Sequence, residues 1–197
     1  EAVNHVHHNK LQLRMGYSES GSLGPLPWEV VETGNLNGTN YDALGFAIQD
    51  GSLVAASPQF GTQAVLDVST ANVDLTNEGT ASDVAASITF RLLDKNNHWV
   101  CTKYFDGTNW RFETGHITAG TYTAITSTVR VPTTTILRVV ANGTSIQCYD
   151  DTTLVHSITN STHQSNTKHG VRQFVSDSLD KYNIWYGKIK SFLVKAP

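Results

Sequence analysis

Residues 84–112 constrain the fold more than any other part of the chain. Over the first nine of these positions, small or polar residues alternate with apolar ones at Val84, Ala86, Ile88, Phe90 and Leu92. A period of two is that of a β-strand with one face on a core and the other in solvent. Turn formers follow at residues 94–97 and 106–109, on either side of a second β-rich run from 98 to 105. The segment therefore predicts an antiparallel meander.

Turn signals recur along the rest of the chain and predict about twelve short strands. Asp50-Gly51 predicts a hairpin, and Asn142-Gly143 predicts a type I′ hairpin with positive φ at both residues. Residues 76–82 and 159–168 are predicted to be polar loops. The sequence contains no helical pattern longer than two turns. The predicted fold class is all-β, an antiparallel two-sheet jelly-roll β-sandwich.

Composition limits the classes of partner. The chain has 197 residues, of which 16% are charged, and its net charge is −3. This balance does not favour nucleic acid or an anionic membrane as partner, and no apolar run approaches the length of a membrane span. We expect residues 1–20 to be a linker or edge strand to a larger parent chain, and residues 21–197 to form one domain. The absence of an initial Met and of a signal segment predicts an excised or processed form.

Cysteine and histidine give weak signals. Cys101 and Cys148 lie in predicted strands, and two cysteines are too few to indicate a disulfide scaffold. Two buried free thiols are the favoured interpretation, and a disulfide stays open if the two strands are neighbours, because the Cα atoms must lie within about 7 Å. His5, His7 and His8 cluster near the start without cysteines or a spaced second pair. We therefore expect no metal site and no cofactor.

The acidic residues do not form a hydrolytic pattern. Glycoside hydrolysis needs two carboxylates that converge on one cleft. Asp150 and Asp151 are adjacent in a predicted turn, and Glu29 and Glu32 are three residues apart, so neither pair shares a strand face. No Gly-x-Ser-x-Gly elbow is present. We expect that the chain is not an enzyme.

Several blocks, in sequence order, carry a resemblance to a known family. They are GSLGPLPWEVVETG, SITFRLLDKNNHWVCTKY, TILRVVANGTSIQCYDDTTLV, HGVRQF and YGKIKSFLV, and they span residues 21–194. The chain resembles the concanavalin A-like jelly rolls of the laminin-G and glucanase superfamily, of the type found in phage minor tail proteins and secreted bacterial carbohydrate-active proteins. Members often end in Phe-Asp-Asn-Phe, whose acid contributes to a calcium site. Here Tyr186-Gly187-Lys188-Ile189 stands instead, so the resemblance does not extend to calcium binding.

A jelly roll of this kind presents one sheet face to a ligand, and sugars bind to aromatic rings and planar polar groups. Strand alternation and polarity predict a wet face formed by Arg91, Trp99, Lys103, Trp110, Arg138, Gln147 and Tyr149. A register slip of one residue would exchange Trp99 and Lys103 for Val100, Thr102 and Tyr104. Alternatively, Trp99 and Trp110 fill the core.

The residues and the resemblance together predict a non-catalytic carbohydrate-binding or adhesion module. We expect it to belong to a larger virion protein, a phage tail or fibre, and to recognise a cell-surface glycan at the virion surface or outside the cell. A structural docking domain without sugar binding is the first alternative, and a glycan-cleaving enzyme is the second. A homo-oligomer formed through the parent protein stays open, as does the identity of the sugar.

Overall fold

The computed structural model describes residues 29–31, 46–49, 52–55, 63–79, 85–172 and 189–197. These residues form strands and connecting turns, without a helix. In chain order the strands are β1 (Glu29–Val31), β2 (Phe46–Gln49), β3 (Ser52–Ala55), β4 (Gln63–Asp67), β5 (Val73–Gly79), β6 (Ala86–Asp94), β7 (Asn97–Phe105), β8 (Trp110–Thr118), β9 (Thr121–Val129), β10 (Ile136–Asn142), β11 (Ser145–Asp150), β12 (Thr153–Thr159), β13 (Lys168–Arg172) and β14 (Ile189–Lys195). Because no helix is present in this part of the chain, it contains none that could cross a membrane.

The strands form two antiparallel sheets. Sheet A has the order β1-β4-β13-β6-β7-β8-β9, and sheet B has the order β12-β11-β10-β5-β14-β3-β2. The predicted meander is confirmed, since β6, β7 and β8 pair in succession. The hairpin predicted at Asp50-Gly51 agrees with the pairing of β2 with β3, although those two residues lie outside the described part. Residues 1–20, with the three clustered histidines, also lie outside it.

The core lies between the sheets. From sheet A it receives Ile88, Phe90, Trp99 and Phe112, all without exposed surface. Alternating residues of β5, β10 and β11 meet them from sheet B, because every second side chain of a strand points to the same face. Burying apolar side chains on both inner faces supplies the main favourable free energy of a sandwich.

A disulfide joins the two sheets through the core. Cys101 of β7 and Cys148 of β11 are bonded, with their Cα atoms 6.9 Å apart and neither residue exposed. The favoured prediction of two free thiols is therefore wrong. The two strands are not neighbours in a sheet. They face each other across the sandwich, whereas a disulfide was expected only between neighbouring strands.

The structure corrects two local predictions. Residues 76–82 are not simply a loop, because β5 runs from Val73 to Gly79 in the middle of sheet B. Its inward-facing residues are Val73, Leu75, Asn77 and Gly79. Because the last two lack apolar side chains, the strand does not show a continuous alternation of apolar and polar residues. The second correction concerns the β10–β11 turn, whose central residues are Gly143 and Thr144, since Asn142 pairs with Ser145. Of these residues only Gly143 has a positive φ, +55°, which fits type II′ rather than type I′.

Candidate functional site

The outer face of sheet A, turned away from sheet B, carries a cluster of polar aromatic and charged side chains. Cys101 points toward sheet B, so the alternate residues of β7 point outward, and their partners on β8 do the same. The opposing pairs are Thr102 with Glu113 and Tyr104 with Arg111. The middle of this face is buried, as the low exposure of Thr89, Val100 and Thr102 shows. Toward β9 it opens, and Tyr122 is 44% exposed.

Glu113 is held by two phenols. The Tyr122 hydroxyl donates to Glu113 Oε1 at 2.5 Å, and the Tyr104 hydroxyl donates to Oε2 at 3.3 Å. Each carboxylate oxygen therefore has one donor and keeps further acceptor capacity. We call Tyr104, Glu113 and Tyr122 the tyrosine–glutamate cluster. The carboxylate orients the two rings, and Tyr122 remains partly exposed to solvent.

Gly115 makes this arrangement possible. On the neighbouring strand β9, Ala124 lies opposite Gly115. The ring of Tyr122, two residues before Ala124, lies across the β8 backbone at Gly115. A Cβ atom at position 115 would lie 2.5 Å from the Thr123 carbonyl oxygen and 2.7 Å from the Tyr122 hydroxyl oxygen. No side chain fits within such distances. A β-bulge between Thr114 and Gly115 accompanies this close approach.

We expect Gly115→Ala to displace Tyr122 from Glu113 and to lower the free energy of unfolding by about 1–3 kcal/mol, the usual cost of overpacking. Urea unfolding measures the loss. The double variant Gly115→Ala/Tyr122→Ala removes the contact with the phenol and keeps the one with the Thr123 carbonyl. It should therefore lose less than the sum of the two single variants. Strict additivity would contradict the packing described here.

Burial and charge keep both phenols protonated. Burial, followed by the negative charge of Glu113, raises the pKa of Tyr104 to about 12. Burial and the hydrogen bond to Glu113 raise the pKa of Tyr122 still further. Both hydroxyls are therefore donors at any physiological pH. A nucleophilic or basic phenolate is not available in the cluster.

Two arginines flank the cluster. Arg111, opposite Tyr104, is hydrogen-bonded through Nε to the Asp106 carboxylate in the β7–β8 turn. Backbone N–H groups, first that of Asn109, together with Arg111 lower the pKa of Asp106 to about 2. Arg172 of β13 is 9% exposed, and burial lowers its pKa to about 10, so it stays charged near neutrality. Arg172 takes the outward side of β13, since its neighbour Val171 points into the core, and its charge acts to lower the pKa values of His98 and Tyr122.

Comparison with known proteins rests on structure. No family model and no curated protein sequence matches the chain. Three solved structures match most of it: the carbohydrate-binding module CBM66 from Bacillus subtilis (16% identity, 86% of this chain and 92% of that chain, TM-score 0.54), a β-glucanase of Bacillus licheniformis (13%, 86% and 92%, 0.55) and a prokaryotic β-1,3-1,4-glucanase from a mouse hindgut metagenome (11%, 94% and 98%, 0.57). The domain is a concanavalin A-like jelly roll. At these identities the likeness concerns the fold, as the sequence resemblance implied.

The jelly roll does not bring the seven predicted site residues together. Trp99 and Lys103 share the side of Cys101, point toward sheet B and have no exposed surface. Trp99 Nε1 donates to the Thr162 carbonyl at 2.7 Å, and Lys103 Nζ donates to the Thr134 carbonyl at 3.1 Å. Their predicted solvent-facing placement is wrong, because the residues of β7 that face outward are shifted by one position from those predicted. As that alternative stated, Val100, Thr102 and Tyr104 face outward in their place.

Arg91 and Trp110 are also placed differently from the prediction. A bulge in β6 lies between Phe90 and Asp94, and Arg91 has a positive φ of 50° and no exposed surface. Its guanidinium donates to the carbonyls of Ala71 and Gly143, which lie at one end of sheet B. Trp110 takes the inward side of β8 and is partly buried beside the Phe105 ring, with the ring centroids 5.8 Å apart. Simple alternation misplaces Arg91 because it assumes an unbroken strand.

The remaining three predicted residues do share a surface, the outer face of sheet B. Arg138 donates to Asp74 through Nε at 2.7 Å and Nη2 at 2.9 Å, and its guanidinium lies 5.0 Å from the centre of the Tyr149 ring. The Tyr149 hydroxyl donates to Gln147 Oε1 at 2.8 Å. These groups serve as partners for one another. Whether any of the seven residues contacts a ligand stays a prediction.

Four residues of this face were not among the predicted site residues: Glu113, Gly115, Tyr122 and Arg172. Glu113 could have been found from the sequence, because it lies two residues after Arg111. The two charged side chains therefore share one face of a short strand, while Phe112 and Thr114 share the other. The role of Gly115 follows only from the approach of a neighbouring strand. Among the described residues, no group of three His, Cys, Asp or Glu side chains is arranged to hold a metal ion.

Proposed function

We propose that this jelly roll is a non-catalytic carbohydrate-binding module, and that glycan lies on the outer face of sheet A at the tyrosine–glutamate cluster. The observation that carries the proposal is the position of Tyr122, which lies across Gly115 with its hydroxyl on Glu113. A fixed aromatic ring with an exposed face can stack on the C–H surface of a sugar. The free lone pairs of Glu113 can accept hydrogen bonds from sugar hydroxyls.

The distribution of carboxylates supports binding rather than hydrolysis. Glu113 is the one acidic residue among the outward-facing positions of β6, β7, β8 and β9, all of which are described. A glycosidase needs a second carboxylate at about 5–10 Å. Asp150 does not serve, because it is buried in sheet B and accepts from Arg130, Thr133 and Thr134.

The fold neighbours and the disulfide support the wider setting. One neighbour is named as a carbohydrate-binding module and two as glucanases. The disulfide between Cys101 and Cys148 fits an oxidising surrounding, such as the virion surface or the extracellular space. The resemblance of the sequence blocks to phage tail modules favours a larger virion protein as parent. In this proposal the domain attaches the particle to a host-surface glycan.

The test is a glycan-array screen of the purified domain, followed by titration of each glycan that binds. We expect Tyr122→Ala to weaken binding at least about tenfold, as removal of a central aromatic contact does. Glu113→Gln should weaken it less, because the amide keeps one acceptor oxygen. Tyr149→Ala is the matched control, since it removes a tyrosine from the outer face of sheet B and should leave affinity unchanged.

The other outcomes separate the alternatives. Loss of binding in Tyr149→Ala with retention in Tyr122→Ala would move the site to Arg138, Gln147 and Tyr149. Absence of any glycan binding by folded protein would refute the proposal in favour of a structural docking domain. Release of shortened glycan products would show an enzyme instead.

A further inference from the structure

One flank of the sandwich carries most of the exposed large apolar side chains. Strand β9 ends sheet A and β12 ends sheet B. The two edges lie side by side, because His156 Nε2 of β12 and Thr128 Oγ1 of β9 are hydrogen-bonded at 3.2 Å. Among the described residues six large apolar side chains are exposed. Five of them lie on these two strands or just after β9: Tyr122, Ile125, Val129, Val131 and Leu154.

Strand β9 has one edge to which no described strand is paired. Within the described chain, β9 pairs with β8 on one side and with no strand on the other. Nine residues span about 30 Å, and most of their side chains are exposed. An uncovered edge presents unpaired N–H and C=O groups that can pair with a further strand.

The flank carries few of the features that usually prevent two strand edges from pairing. Neither β9 nor β12 contains Asp, Glu, Lys, Arg or Pro, the residues that discourage pairing of exposed edges. One such feature is present, the bulge opposite Thr114 and Gly115, which interrupts β9 at Ile125. It leaves an uninterrupted segment at residues 126–129, next to the two exposed valines, Val129 and Val131.

We propose that a second copy of this chain docks on this flank, with its β9 antiparallel to β9 of the first copy over residues 126–129. The net charge of −3 makes two copies repel each other on average, whereas two β9 strands without charged side chains meet without like charges. Pairing of a strand with itself about a two-fold axis is closed, whereas pairing with a different edge generates filaments. Ser127 then faces Ser127 of the second copy and Thr126 faces its Thr128, with Val129 at each end of the ladder, because opposed residues of the two copies must point to the same face of the joined sheet.

This dimer joins the two copies of sheet A into one continuous sheet. The two-fold axis is perpendicular to the sheet at the junction, so the outer faces of both copies lie on the same side. The docking does not rest on the proposed glycan site, and the variants that test it leave the tyrosine–glutamate cluster intact. The ladder is short, and we expect a weak interface with a dissociation constant of about 10–100 μM.

Sedimentation equilibrium of the chain up to about 1 mM tests the proposal. We expect a monomer–dimer equilibrium that Val129→Lys weakens at least about tenfold, because it brings two added charges into the interface. Leu93→Lys is the matched control. Leu93 is 61% exposed and Val129 is 56% exposed, but Leu93 lies near the β6–β7 turn, outside the flank. This control should leave the equilibrium unchanged.

Hydrogen exchange gives a second readout that does not depend on a variant. The amides of residues 126–129 should gain protection as protein concentration rises, while those of the β6–β7 turn do not. A chain that stays monomeric over the whole concentration range would overturn the proposal. A dimer that Val129→Lys leaves intact, or that Leu93→Lys dissociates equally, would do so as well.

Discussion

We expect the variant Cys101→Ala/Cys148→Ala to unfold with a free energy about 4 kcal/mol below that of the parent chain. The disulfide spans 47 residues of sequence, and closing a loop of this length removes conformational entropy from the unfolded state. Both cysteines are fully buried, so the lost apolar contacts act in the same direction. A loss of this size is a large part of the stability of an ordinary domain.

Urea unfolding with a slope of about 2 kcal/mol per M would place the expected shift in midpoint near 2 M. The parent chain unfolded with and without a reductant is the control that separates the cross-link from the alanines. Most of the shift should appear with the reductant alone. A shift below about 0.5 M in both experiments would show that the covalent link contributes little and that the two sheets are held by packing.

The same bond connects stability with the proposed setting. A domain that relies on a buried disulfide is more stable where thiols are oxidised, as at the surface of a particle or outside cells. The bond joins the centre of sheet A to sheet B, behind the strands that carry the tyrosine–glutamate cluster. The bond therefore limits movement of β7 relative to sheet B. Tyr104 lies on β7 and β8 pairs with β7, so the bond also limits movement of these parts of the tyrosine–glutamate cluster.

Much of the fold could be predicted because strand periodicity and turn chemistry are local. The meander from β6 to β8 and the hairpin from β10 to β11 follow from alternation and turn residues. Strand β5 was not predicted, because the polar residue Asn77 occupies an inward position, where its Nδ2 donates to the Ser87 carbonyl at 3.2 Å. A buried polar group that finds its partner on another strand cannot be read from its own segment.

The candidate site was less predictable for two physical reasons. First, whether Trp99 and Lys103 or their neighbours face outward depends on register, and a slip of one residue exchanges the faces. Cys101 decides it, but only once its disulfide partner is known. Second, the bulges at Arg91 and near Gly115 change the direction of side chains in a way that alternation does not contain. The position of Tyr122 over Gly115 depends on both the bulge and the neighbouring strand.

The prediction with the other large effect concerns acid. Burial, followed by the positive charge of Arg172, lowers the pKa of His98 to about 3, although its Nδ1–H donates to the Asp94 carbonyl at 3.3 Å. Burial also lowers the pKa of His156. In the unfolded chain these imidazoles take up protons near pH 6.5. Below that pH the unfolded state binds more protons than the folded state, so stability falls as pH decreases.

For His98 the loss extends from about pH 6.5 to about pH 3, at up to about 1.4 kcal/mol per pH unit. Urea unfolding between about pH 6 and 5 isolates histidine, because carboxylates titrate lower. The amide of His98→Asn can replace the Nδ1–H donor. We expect this variant to lower the slope of the unfolding free energy against pH by about 1.4 kcal/mol per pH unit, which corresponds to the uptake of one proton. An unchanged slope would show that His98 reaches solvent and takes up its proton in the folded protein.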